Sequence, residues 1–80
     1  MNEKLNGVIH KFEEIEARLS APNLYDDPQQ AAKLLKERGD MEPIVLAARE
    51  YLNAQNMLAE AEEMLNDPEM RELAQEELKQ

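Results

Sequence analysis

Two Asp-Pro pairs, Asp27-Pro28 and Asp67-Pro68, each interrupt a helical pattern and restart it at once. An Asp at the N-cap accepts from the orphan N–H groups of a first helical turn, and Pro suits the next position because its missing N–H would be unpaired there anyway. The two starts cut the chain into three helices, predicted at about residues 2–20, 28–65 and 68–79. Leu, Ala, Glu, Gln, Lys and Arg dominate, all residues that lose little side-chain freedom in a helix. Only Ile44-Val45 reads as strand-like, and it is too short to count. The expected fold is all-α, a small antiparallel three-helix bundle with one long central helix.

The first helix carries its apolar residues at Leu5, Val8, Phe12, Ile15 and Leu19, a three-then-four spacing that Ile9 widens. Gly7 weakens its opening turns, and Ala21-Pro22-Asn23 should end it near Ser20. A short loop then reaches Asp27, with Leu24 or Tyr25 placed to fold over the bundle end. The second pattern runs through Ala31, Leu34 and Leu35 and continues as Ile44, Ala47, Tyr51, Ala54, Leu58, Ala61 and Leu65. Between its halves, Pro43 removes one hydrogen bond and Gly39 sits where the ring presses. That allows either one long helix kinked near Gly39–Pro43 or two helices joined by a tight turn, which would make four in all.

Unbroken, residues 28 to 65 would span about 57 Å at about 1.5 Å per residue, longer than either neighbour. The first helix is therefore expected to pair antiparallel with the N-terminal half. The third, with Met70, Leu73, Ala74 and Leu78, should return along the C-terminal half. The sequence stops at Lys79-Gln80 inside an amphipathic pattern and without a helix stop signal, as a piece of a longer protein would. Such a piece exposes an apolar seam, so homodimerisation of the isolated chain is expected.

Eighty residues fit one small domain with a thin core. The formal charge is −9, with 18 acidic against 9 basic residues, which disfavours a dominant contact with a phosphate backbone and favours a basic protein partner or simple solubility. The chain has no cysteine, hence no disulfide frame or thiolate nucleophile. With no apolar run of membrane-spanning length, the expected location is the cytoplasm.

No constellation for catalysis, cofactor or metal binding is legible, so the chain is not expected to be an enzyme. Arg38-Gly39-Asp40 spells an adhesion tripeptide that would need an exposed loop. His10 lies off the apolar seam and reads as a solvated surface residue. Glu13-Glu14-Ile15-Glu16 and Glu60-Ala61-Glu62-Glu63 point in several directions around a helix and read as solvated faces. Met1, Met41, Met57, Met64 and Met70 could form an adaptable groove, but at helical spacing read better as core filler. The turn at Asn66, Asp67, Pro68 and Glu69 is an exposed tip and the one candidate partner contact, although helix capping also explains those residues.

Asn66-Asp67-Pro68-Glu69-Met70-Arg71-Glu72-Leu73-Ala74, preceded by Met41-Glu42-Pro43-Ile44-Val45 and Arg49-Glu50-Tyr51, resembles the N-terminal domain of bacterial class-1 peptide chain release factors. The subtype reading UAA and UAG is the most similar. The stretch His10 to Ser20 fits as well, with Phe12 where the family often has Tyr, whereas Ser20-Ala21-Pro22-Asn23 departs from the family's usual Ser-Asp-Pro-Glu. The resemblance implies a domain that docks or positions a translation termination factor on the ribosome, against basic ribosomal protein near the stalk base more than bare rRNA. Stop-codon reading and peptidyl-tRNA hydrolysis would lie elsewhere, since Gly7 and Gly39 are the only glycines and cannot supply a Gly-Gly-Gln loop. A free-standing helical, coiled-coil-like adaptor would show the same seams and is the alternative.

Overall fold

The computed structural model describes residues 1–79, the side chains of Ala74 and Leu78 excepted. It contains three α-helices and, among the described residues, no strand: α1 (Asn2–Leu19), α2 (Pro28–Asn66) and α3 (Pro68–Leu78), with a 3₁₀ turn, Pro22–Asp26, between the first two. Two compact units divide the chain, Met1–Glu50 and Tyr51–Gln80, and α2 runs from one into the other.

In the first unit, Pro22 forces Ala21 into an extended conformation (ψ 124°), which ends α1 as expected. The hydroxyl of Ser20 donates to the carbonyl of Glu16 at 3.1 Å, and that of Tyr25 donates to the carbonyl of Leu19 at 3.0 Å, so two orphan carbonyls of the last turn are satisfied. The expected loop is thus a 3₁₀ turn tied to the helix it follows. At about 2 Å of rise per 3₁₀ residue it is too short to lead the chain back along the roughly 27 Å of α1. The start of α2 must therefore lie beside the end of α1. The contacts agree: Glu16 meets Arg38, while Phe12, one turn earlier, lies under both Arg38 and the more distant Arg49.

The fully buried residues are Phe12 and Ile15 of α1 and Ala31, Leu34, Val45 and Ala48 of α2. Around them Leu5, Val8, Ile9, Leu19 and Met41 are half-buried, so the seam predicted for α1 is the one used. On α2 the core positions continue one register, 31, 34, 38, 41, 45 and 48, with Arg38 occupying a seam position. This corrects the sequence reading of the later seam. Ile44, Ala47, Tyr51, Ala54, Leu58, Ala61 and Leu65 are all exposed, as is Leu35. Val45 is 1% exposed and its neighbour Ile44 57%, a rotation of about 100° on a helix separating the two.

α2 is not broken at Pro43, which excludes the four-helix alternative. Gly39 and Pro43 are four residues apart on the exposed face. The carbonyl that loses its partner there faces water, so the break in the hydrogen-bond ladder is tolerated without interrupting the packed face. In the second unit Leu52, Gln55 and Met70 are half-buried and none of the described residues is buried. Leu73, expected on a packed seam, is exposed, while Ala74 and Leu78 of that seam lie outside the described side chains.

Candidate functional site

The turn from α2 into α3 is built by its own backbone. The N–H of Asp67 donates to the carbonyls of Glu63 (3.2 Å) and Met64 (3.3 Å), closing the end of α2. Asp67 then adopts extended angles (φ −88°, ψ 119°), and its carboxylate accepts from the N–H of Glu69 at 3.0 Å. Pro68 occupies the first position of α3, and the N–H of Arg71 donates to the carbonyl of Asp67 at 2.7 Å. The first Asp-Pro pair works the same way, with the Asp27 carboxylate accepting from the N–H of Gln30 at 3.2 Å. Asn66, Asp67, Pro68 and Glu69 are all exposed, so the turn presents two carboxylates and an amide on a corner fixed by capping.

Asp67→Ala removes that acceptor from an 11-residue helix, a length marginal in water. The expected cost is about 1 kcal/mol, seen as a loss of helical carbon chemical shifts over the first turn of α3. Asp67→Asn, which keeps an acceptor, should restore them. Unchanged shifts in the alanine variant would show that the cap does not hold the helix.

The remaining sequence candidates are dispersed. Arg38, Gly39 and Asp40 lie inside α2, a backbone conformation unlike the loop an adhesion tripeptide needs. His10 is exposed, its Nε2 2.9 Å from Glu14 one turn on. Glu16 pairs with Arg38, whereas Glu13, Glu60, Glu62 and Glu63 face solvent. No group of three or more His, Cys, Asp or Glu among the described residues could hold a metal ion. Met41 and Met70 are half-buried, but Met1, Met57 and Met64 are exposed, so core filling does not account for all five.

One cluster went unread in the sequence. The Arg38 guanidinium lies 5.1 Å and that of Arg49 5.9 Å from the centroid of the Phe12 ring. Arg38 also donates to Glu42 (2.9 Å) and Glu16 (3.3 Å). The ion pairs are partly exposed and contribute little, whereas cations over a buried ring add about 0.5–1 kcal/mol or more. The signal available was spacing: Arg38 falls where the 31/34 seam places its next residue, and an Arg stem can cover apolar surface.

Residues 8–80 match the PCRF domain. The chain belongs to the PCRF-domain family. Among relatives of this PCRF domain, the protein named Peptide chain release factor 1 from Campylobacter jejuni subsp. jejuni (strain 81-176) is 43% identical over 76 residues, covering 95% of this chain and 21% of the relative. Its namesakes from a Nitratiruptor species and from Clostridium botulinum (strain Hall) are 39% and 42% identical, each covering all of this chain and 23% of the relative. The chain thus spans about a fifth of the length of the curated relatives it matches. No solved structure matches. No helix among the described residues is long and apolar enough to cross a membrane.

Proposed function

We propose that this chain is the N-terminal docking and positioning domain of a cytoplasmic translation termination factor that reads UAA and UAG. The match of residues 8–80 to the PCRF domain, with relatives named Peptide chain release factor 1, carries the reading. Decoding and peptidyl-tRNA hydrolysis belong to parts of the factor other than these 80 residues, and the chain acts by binding and not by catalysis. Its charge of −9 supports a contact with basic ribosomal protein near the stalk base in preference to rRNA. The exposed corner at Asn66, Asp67, Pro68 and Glu69 is the proposed point of contact. The same reading takes the domain as an antiparallel three-helix bundle whose central helix bends near Gly39–Pro43.

Co-sedimentation of the purified chain with 70S ribosomes carrying UAA and peptidyl-tRNA in the P site tests the proposal. The chain is expected to pellet with ribosomes, to be released as salt rises, and to leave the peptidyl-tRNA intact. Glu69→Gln together with Asn66→Ala, which keeps the Asp67 cap, should weaken pelleting several-fold. Peptide release by the chain alone would overturn the assignment as a non-catalytic domain. Absence of pelleting at low salt would overturn docking.

A further inference from the structure

The exposed stripe of α2 repeats with a period of seven. Ile44, Tyr51, Leu58 and Leu65 form its bulky series, and Ala47, Ala54 and Ala61 its small one, three residues behind. All seven are exposed, Leu58 by 62% and Leu65 by 46%. This is a heptad seam with one large and one small residue in each repeat.

Size alternation of this kind distinguishes the ways in which two such helices can pair. In a parallel pair like meets like, so layers of two Tyr or two Leu alternate with layers of two Ala, and no single helix separation suits both. In an antiparallel pair every layer holds one large and one small residue. Layer volume is then constant, and the helices can approach toward the short end of the usual 8–10 Å range.

We propose that this stripe seats α2 of a second copy of this chain, running antiparallel. In the favoured register Ala54 faces Leu58 of the second copy, Tyr51 faces Ala61 and Ala47 faces Leu65, with the same contacts repeated by the two-fold axis. A register shifted by one heptad toward the N-terminus sets Leu65 against Asp40 and loses that apolar layer at each end. The flanking positions fit a second copy as well. On one side Glu50 comes beside Met64, and Met57 beside its own counterpart. On the other, Ala48 comes beside Glu62, and Gln55 beside its own counterpart. In a chain of charge −9 this register therefore brings no two carboxylates directly across the seam. The remaining repulsion between two acidic chains is long-range, so added salt should strengthen the pair.

Sedimentation equilibrium from micromolar to near-millimolar concentration tests this. The expected mass rises from 9.2 kDa to twice that value, and at lower salt the rise shifts to higher concentration. Ala54→Glu, at an exposed site outside the Phe12 core, should keep the helical circular dichroism and weaken the dimer by roughly a hundredfold. The chain has no cysteine, so single Cys variants report orientation directly. Met57→Cys should be joined to its own counterpart by a short bis-maleimide, and Tyr51→Cys should not. A monomer at every concentration, a dimer indifferent to Ala54→Glu, or the reverse cross-linking pattern would each overturn the proposal.

Discussion

Phe12→Ala is expected to unfold most of the first unit at ambient temperature. Truncating a buried Phe costs about 3–5 kcal/mol, and a chain of this size has about 4–12 kcal/mol of stability at most. Phe12, 3% exposed, is the only aromatic residue among the six fully buried in the described structure. Its ring also underlies the guanidinium groups of Arg38 and Arg49, which would lose that contact together. Urea titration followed by circular dichroism measures the effect. A midpoint close to that of the parent chain would show that Phe12 does not anchor α1 to α2.

A paired substitution tests the face of α2 as sharply. Val45→Asp places a carboxylate in the most enclosed position of the core, with no buried polar group to receive it. The expected penalty is several kcal/mol, enough to abolish packing of α1. Ile44→Asp, one residue earlier, puts the same charge into solvent and should change the stability of the folded chain by less than about 1 kcal/mol. Equal effects from the two would mean that α1 does not select one face. The reverse order would restore the seam expected from sequence.

That seam shows where sequence reading succeeded and where it could not. α1 has a single apolar stripe, so Leu5, Val8, Phe12, Ile15 and Leu19 identify its buried face without help. α2 has two stripes one residue apart, Ile44/Ala47 and Val45/Ala48, with the same spacing and similar polarity. Local periodicity cannot choose between them; the choice is made by Phe12 and Ile15, more than twenty residues away. Arg38 hid the continuity that would have favoured the correct stripe, because a charged residue is not counted on an apolar seam until its contact with a ring is seen. The caps at Asp27 and Asp67 were legible because a cap is local, made by a side chain and an N–H two or three residues on. The Tyr25 bond to Leu19, across six residues and a 3₁₀ turn, carried no comparable signal.

Every fully buried residue lies between positions 12 and 48, although α2 continues unbroken to Asn66. A helix continuous in geometry can still be divided in its cooperativity. Amides in the half of α2 that holds Leu34, Val45 and Ala48 open only when α1 is released, so their hydrogen exchange follows unfolding of the whole first unit. Amides beyond Tyr51 are held by helical bonds and a turn, and in the monomer they open by fraying, on the submicrosecond-to-microsecond timescale of helix–coil relaxation. The two ends of one helix therefore keep different clocks. Whatever seats itself on the outer half finds a surface that is continually re-forming.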